Sequence, residues 1–272
     1  MVLLFFFAVM ADAAEIEPRP TAWCDSVRRD SAGLDRETDG RIESERGTPQ
    51  LNLVYLVPAD RTVRADYIVA LQKAARGIRS WYWREVNQGK TFRFSTPTVH
   101  VVALPHDADY YKNNPAGDRF VQFWNNVLED AFALTGGSFN DPLNVWAYYI
   151  DADPACGQCG GCGTSGVLLV SANDLRGLAE EPRIAPCPDE EPDTGPVGRW
   201  IGGLGHELGH AFGLPHPPGC DEGAPSCDYS ALMWNGFRQY PNTYLREDEK
   251  AFLSESPFFI PALPRLRSTS RP

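Results

Sequence analysis

The chain has 272 residues, a hydrophobic content of 43% and a formal net charge of -11. This length allows one well-buried core, or one domain divided by a cleft, and it excludes a large multidomain protein. The acidic balance argues against a nucleic-acid-binding protein, because such proteins need a basic surface to displace counterions from phosphates. Enzymes and binding modules both remain open.

The first 13 residues are typical of a secretory signal peptide. An apolar run covers residues 2–10, and Ala11-Asp12-Ala13 then has the small-x-small pattern of a signal-peptidase site. A buried N-terminal strand is the alternative. Later segments fall short of the roughly 20 apolar residues that span a bilayer. We therefore expect a secreted protein without a membrane partner.

Residues 14–50 are polar and charged and lack apolar periodicity, which is typical of a propeptide or an extended N-terminal arm. The folded domain is expected to begin near Leu51 and to cover residues 51–272. Its apolar runs predict buried strands over 51–57, 91–104, 144–150 and 166–170, with Pro97 dividing the second run. Helical spacing of apolar residues predicts helices over 64–86, 118–133 and 198–212. This alternation favours an α/β layer with a mostly parallel sheet.

The seven cysteines are most simply interpreted as disulfide partners, with one left over. Cys220 and Cys227 bracket a short polar loop that a disulfide can close. A structural zinc ion is the alternative for the four cysteines in and beyond the glycine-rich stretch, Cys156, Cys159, Cys162 and Cys187. We favour disulfides, because an oxidising compartment competes for these thiols.

The segment GHELGHAFGLPH, residues 205–216, has the spacing of a metal site. Because residues four apart lie on one face of a helix, the imidazoles of His206 and His210 can reach one ion. Glu207 stands beside the first ligand and can reach a metal-bound water without being a ligand itself. Gly213 permits the positive φ that ends the helix, and the turn brings His216 round as the third ligand.

Three neutral histidines leave the fourth position of a tetrahedral zinc ion open for water, which distinguishes a catalytic site from a structural one. Zinc acidifies this water and polarises a scissile carbonyl, while the base takes the proton and passes it to the leaving amine. A chance match on a solvated helix face is the alternative, and the extended motif makes it rare. The sequence predicts His206, His210 and His216 as zinc ligands and Glu207 as the catalytic base.

This long motif, H-E-x-x-H-x-x-G-x-x-H, resembles that of the metzincin clan of zinc peptidases, whose members carry a methionine-containing tight turn downstream. The segment SALMWNG, residues 230–236, provides a candidate for that turn. The resemblance implies that Met233 packs beneath the zinc-binding imidazoles as a soft hydrophobic base.

The resemblance leaves the subfamily unassigned. Serralysin-like enzymes also carry a proline at the place of Pro217, but they usually have a tyrosine where this chain has Asn235. A tyrosine that ligates the metal or steadies the oxyanion must then come from elsewhere in the loop. The candidates, which are otherwise packing or surface residues, are Tyr229, Tyr240 and Tyr244.

The resemblance also implies a zincin-like α/β (α+β) fold. Its upper lobe, 51–213, would hold the twisted sheet, two long helices and the active-site helix. The lower lobe, 214–272, would be irregular with one helix, for which residues 243–253 are the candidate. Metzincins bind substrate as an additional antiparallel strand at the sheet edge. Residues 166–170 are the candidate edge.

Three weaker features have ordinary interpretations beside functional ones. An acidic loop provides hard oxygen ligands of the kind that calcium prefers, at Asp189, Glu190, Glu191 and Asp193. The default interpretation is that these side chains are simply solvated. Cys24 lacks the sequence context of a latency switch, so a disulfide is favoured. His100 and His106 fall outside any ligand spacing and are expected to be ordinary structural or surface residues.

The sequence therefore predicts a secreted, monomeric zinc-dependent endopeptidase that acts on protein or peptide substrates. Two alternatives stay open. One is a catalytically silent binding or adhesion protein on the same fold, against which the intact Glu207 counts. The other is a zinc hydrolase that acts on a non-peptide bond.

Overall fold

The computed structural model describes residues 47–86, 89–185 and 187–261. The strands are β1 (Gln50–Val57), β2 (Lys90–Thr91), β3 (Phe94–Ala103), β4 (Asn144–Ile150), β5 (Gly161–Thr164), β6 (Val167–Val170) and β7 (Ile260–Pro261). The helices are α1 (Ala65–Glu85), α2 (Ala108–Asn113), α3 (Gln122–Thr135), α4 (Ala172–Leu178), α5 (Val197–Ala211) and α6 (Glu247–Glu255), with a 3-10 helix at Gly236–Gln239. None of the helices in these ranges is long and apolar enough to cross a membrane.

Five strands form one sheet in the order β3-β1-β4-β6-β5. Strands β3, β1, β4 and β6 are parallel, and β5 runs antiparallel to β6. Every residue of β1 and of β4 is buried, as expected for strands covered on both faces. The mostly parallel α/β sheet predicted from the sequence is confirmed.

The alternation of side chains along β1 divides the core into two layers. Leu53 and Tyr55 pack with α1 and α5 on one face of the sheet. Val54 and Leu56 pack with α3 on the other face. Helix α5, which carries the metal motif, therefore lies against the sheet and beside α1.

The predicted strand over 91–104 is two strands, and the break falls at Phe92 and Arg93 rather than at Pro97. Strand β3 lies at the edge of the sheet, where the missing N–H of a proline costs no ladder hydrogen bond. Pro97 is therefore accommodated inside it.

Helices differ from the sequence prediction mainly at their ends. The predicted helix over 118–133 begins at Gln122, and the C-terminal helix predicted over 243–253 begins at Glu247. The second of these begins where the Glu249 carboxylate accepts a hydrogen bond from the Arg246 N–H at 2.8 Å. Two short helices, α2 and α4, were not predicted, because six or seven residues are too few to show a helical period.

The prediction that residues 166–170 form the sheet edge is wrong. Strand β6 pairs with β4 on one side and with β5 on the other, so β5 forms the edge of the sheet opposite β3. We call β5 the edge strand below. Two of the four residues in its sequence GCGT are glycines, and only Thr164 is of a type enriched in strands. Glycine is needed at Gly163, because a Cβ there would lie 2.4 Å from the backbone oxygen of Glu207.

The predicted signal peptide at 1–13, Cys24 and nearly all of the predicted arm at 14–50 lie outside the described residues. Strand β1 begins at Gln50, one residue before the predicted domain start.

Candidate metal centre

Helix α5 brings two histidines to one face inside the protein. His206 and His210 are 7% and 6% exposed. The helix ends as the sequence predicts, because Gly213 has a φ of +102°. The Gly213 N–H donates to His210 O at 3.0 Å and the Leu214 N–H donates to Gly209 O at 2.9 Å, which closes the last turn. The chain then leads directly to His216.

The hydrogen bonds at Nδ1 decide which nitrogen of each ring can bind a metal. His206 Nδ1 lies 2.8 Å from the backbone oxygen of Leu232, and His210 Nδ1 lies 2.8 Å from that of Leu214. Since a carbonyl oxygen only accepts, both Nδ1 atoms carry the hydrogen. In a neutral imidazole the lone pair is then on Nε2, which is the atom that a metal takes.

The three Nε2 atoms converge on one point. His210 Nε2 lies 3.0 Å from His206 Nε2 and 3.1 Å from His216 Nε2. A tetrahedral zinc ion with Zn–N bonds of 2.0–2.1 Å separates its nitrogen ligands by about 3.3 Å. Three imidazole lone pairs at this spacing suit a cation between them, and the donor set is one that zinc prefers. The residues present therefore fit a zinc ion.

Glu207 follows His206 on α5 and lies close to the edge strand β5. It is 8% exposed, and its Oε1 lies 3.8 Å from the place that a Cβ on Gly161 of β5 would take. Burial, Asp174 and Glu207 together raise the pKa of Tyr149 well above its ordinary value, so this phenol stays neutral beside the carboxylate. A Cβ on Gly163 would also lie 3.2 Å from Cβ of His210, so the edge strand β5 is close to both Glu207 and His210.

Met233 lies beneath the helix that carries the first two histidines. It is fully buried, and a Cβ on Gly209 would stand 2.2 Å from its Sδ. The surrounding turn is closed by a hydrogen bond from the Gly236 N–H to Ala231 O at 3.0 Å. Glycine at 209, directly before His210, is what allows the thioether to approach the helix.

The third histidine contacts side chains of the irregular segment after the helix. Its Nδ1 lies 2.7 Å from Oδ1 of Asp221, and its ring meets that of Trp234 edge-on at 4.9 Å between centroids. Asp221 could not be predicted from the sequence, since a carboxylate in an aperiodic loop carries no spacing signal.

The candidate tyrosines differ in their surroundings. Asn235, at the position that usually carries a tyrosine in serralysin-like enzymes, donates from Nδ2 to the hydroxyl of Tyr229. Tyr244 instead donates to Asp228 at 2.6 Å. Tyr240 packs against Trp81. Tyr229 is therefore the candidate that contacts the turn of Met233, through Asn235.

The described cysteines form disulfides, as favoured from the sequence: Cys156–Cys187, Cys159–Cys162 and Cys220–Cys227. The zinc alternative for four of them is thereby set aside. The prediction that His100 and His106 are structural or surface residues agrees with a hydrogen bond between Ser95 and His100 at 2.8 Å and a stacking contact of His106 with Tyr110 at 3.8 Å.

Calcium at the acidic loop is not supported. Asp193 is occupied by cations of the protein itself, with Arg199 at 2.8 Å and Arg238 at 3.3 Å. Burial acts to raise the pKa of Asp193, but the Gly195 N–H and Arg199 outweigh it, and the pKa lies below its ordinary value. The other three acidic residues of the loop, Asp189, Glu190 and Glu191, are exposed.

Comparison with known proteins gives a likeness in structure. No protein-family model and no curated protein match the sequence. A catalytically inactive form of OgpA from Akkermansia muciniphila, in complex with an O-glycopeptide substrate, matches with a TM-score of 0.51 and 16% identity. The match covers 81% of this chain and 64% of that one, so the chain spans less than two thirds of that protein.

Archaemetzincin from Methanopyrus kandleri is similar at a TM-score of 0.40 and 16% identity, over 79% of this chain and 98% of that one. At these identities the likeness concerns the fold alone. The chain has a mixed α/β fold with a mostly parallel five-stranded sheet, similar to the fold of the A. muciniphila protein.

Proposed function

We propose that the chain is a secreted zinc-dependent endopeptidase of the metzincin type, with His206, His210 and His216 as metal ligands and Glu207 as the catalytic base. The observation that carries the proposal is the convergence of three imidazole Nε2 atoms beside a buried carboxylate and a sheet edge. Three disulfides support export, because such bonds persist in oxidising compartments.

The residues of the chain have separate roles in the proposed hydrolysis of a peptide bond. A bound zinc ion would act as a Lewis acid on the scissile carbonyl and would acidify the attacking water. Glu207 accepts the proton of that water and returns it to the leaving amine. The buried position of Glu207 limits competing contacts with solvent water. Met233 packs against α5 at Gly209, directly before His210, which supports its proposed role as the base beneath the ligands.

The substrate is proposed to be an extended peptide that pairs with strand β5. Among the described residues, β5 has a neighbour on one side only, so its other edge offers backbone donors and acceptors. Because Gly161 and Gly163 place this edge beside Glu207, a peptide paired with it would lie next to the base. The protein is expected to act as a monomer.

The proposal is tested by incubating the purified protein with a diverse peptide library, with and without a chelator. We expect cleavage that the chelator abolishes and zinc restores. The library includes O-glycopeptides, because the similar structure from A. muciniphila holds one.

Glu207→Ala is expected to retain zinc and lower the cleavage rate by about 10²–10⁴-fold. Glu129→Ala on α3, an exposed carboxylate on the far side of the sheet, is the matched control and should cleave like wild type. Absence of cleavage by a zinc-loaded sample would reject the endopeptidase and leave the silent binding protein or the non-peptide hydrolase.

A further inference from the structure

The three imidazoles of the metal centre are held in two different ways. His206 and His210 donate from Nδ1 to backbone carbonyls, at 2.8 Å in each case. His216 has a carboxylate at the same place, with Nδ1 2.7 Å from Oδ1 of Asp221. The His216 ring is therefore oriented by a charged side chain.

We propose that Asp221 is a positioning residue for the third metal ligand, and that the Cys220–Cys227 disulfide keeps its carboxylate against the ring. The inference rests on the proposed function in one respect, namely that His216 binds zinc. It does not depend on whether the protein cleaves peptides.

The contact has the chemistry of a carboxylate–histidine–metal triad. A carboxylate that accepts the Nδ1–H fixes the tautomer, directs Nε2 at the ion and makes the ring a stronger base. The side chains of His216 and Asp221 are only 10% and 7% exposed, so little water competes for this hydrogen bond. The carboxylate also adds negative charge beside a site that would hold a divalent cation.

The position of Asp221 depends on a loop without regular structure. Residues 212–230 form turns rather than a helix or a strand, so no ladder of backbone hydrogen bonds holds them. The third ligand is thus on the part of the site that the helix does not fix.

The disulfide supplies the missing constraint. Cys220, directly before Asp221, is 1% exposed and its N–H donates to Pro217 O at 3.1 Å. The Cys227 N–H closes the other end of the loop on Ala224 O at 2.9 Å. Since a cross-link removes conformational freedom from the loop that it closes, the bond limits where Asp221 can go.

The first test measures zinc affinity by competition with a chelator of known affinity. Asp221→Ala is expected to weaken zinc binding by about 10–100-fold. Asp221→Asn should lose less, because its amide oxygen can still accept the Nδ1–H but carries no charge. Asp228→Asn, in the same segment but hydrogen-bonded to Tyr244, is the matched control and should bind as wild type does.

The absorption spectrum of the cobalt(II)-loaded proteins provides a second readout. It reports the coordination geometry, which a merely structural role of Asp221 would leave unchanged. We expect the spectrum to change in Asp221→Ala and to be largely restored in Asp221→Asn, with circular dichroism the same in all variants.

The second test is a double-mutant cycle between the carboxylate and the disulfide. Removal of the bond by Cys220→Ala with Cys227→Ala is expected to weaken zinc binding, and adding Asp221→Ala should then cost little more. Removal of the bond between Cys156 and Cys187 in the same way is the control, and zinc affinity should not change.

The outcomes separate this inference from the proposed function. Zinc binding by wild type without peptide cleavage rejects the endopeptidase, while the affinities of the variants still decide the role of Asp221. Asp221→Ala with an affinity within about twofold of wild type overturns the inference alone. Additive losses in the cycle overturn the part assigned to the disulfide, and a wild type that binds no zinc overturns both proposals.

Discussion

The two halves of the metal centre are built by different means. His206 and His210 stand on α5, whose position is set by the sheet, by α1 and by backbone carbonyl partners. His216 and Met233 stand on the irregular segment that follows, which is held by turns, a disulfide and single contacts. The first of these, the helical half, is fixed by the core. The position of the second, the loop half, depends on how closely the segment after α5 can approach that helix. Glycines on α5 control that approach.

The substitution with the largest expected effect on stability lies where the two halves of the metal centre touch. A Cβ on Gly202 would lie 2.0 Å from the backbone oxygen of Phe237, so Gly202→Ala must push the 3-10 helix away from α5. We expect the free energy of unfolding to fall by about 3 kcal/mol, measured by chemical denaturation.

The next residue supplies the matched control for this substitution. A Cβ on Gly203 would meet Nη1 of Arg199 at 2.9 Å, and this is the far end of a flexible side chain that can move. Gly203→Ala should therefore gain up to about 1 kcal/mol from helix propensity. Equal effects of the two substitutions would contradict the view that close backbone contact joins the halves.

A second prediction asks what the loop half adds to the chemistry. Tyr229 is 56% exposed and its hydroxyl is held by Asn235, two residues after Met233 in the same turn. If this hydroxyl steadies the developing oxyanion, Tyr229→Phe should lower kcat by about 10²-fold with little change in KM.

Tyr244→Phe is the control for the tyrosine, because Tyr244 is 40% exposed and its hydroxyl donates to Asp228 instead. Its kcat should match that of wild type. Identical kcat values for the two variants would remove Tyr229 from the catalytic site and would leave the loop half with ligand binding alone.

The same contrast explains what could be predicted from the sequence. The helix-borne ligands and the turn at Gly213 are local features, because their spacing along one helix already determines their geometry. Strands β1 and β4 can likewise be predicted from the sequence, since strands buried on both faces are nearly continuous apolar runs.

What could not be predicted depends on contacts between distant segments. Asp221 reaches His216 through a loop whose path is set by a disulfide, and no periodicity records such a contact. Strand β5 could not be predicted, because Gly161 and Gly163 let the strand approach α5 and have low strand propensity.

The smallest expected effect is that of a substitution at Asp174, whose carboxylate lies beside the helical half. Burial raises the pKa of Asp174 to about 6, while Arg199 and Arg176 act to lower it and Asp193 acts to raise it. The phenol of Tyr149 also feels this charge, although burial is the main cause of its raised pKa. Because the pKa of Asp174 is higher in the folded than in the unfolded state, ionisation opposes folding. Its contribution to stability is most favourable below pH 4 and falls as the pH rises through about 6.

Asp174→Asn removes this titration and keeps the shape of the side chain. The Tm of the variant relative to wild type is therefore expected to increase between pH 4.5 and pH 7.5, by a few degrees in a protein of this size. Only the difference between the two proteins is compared at each pH, so other titrating groups cancel. A difference that stays constant across this range would mean that Arg199 and Arg176 compensate the buried charge fully, and that the helical half carries no electrostatic cost at this position.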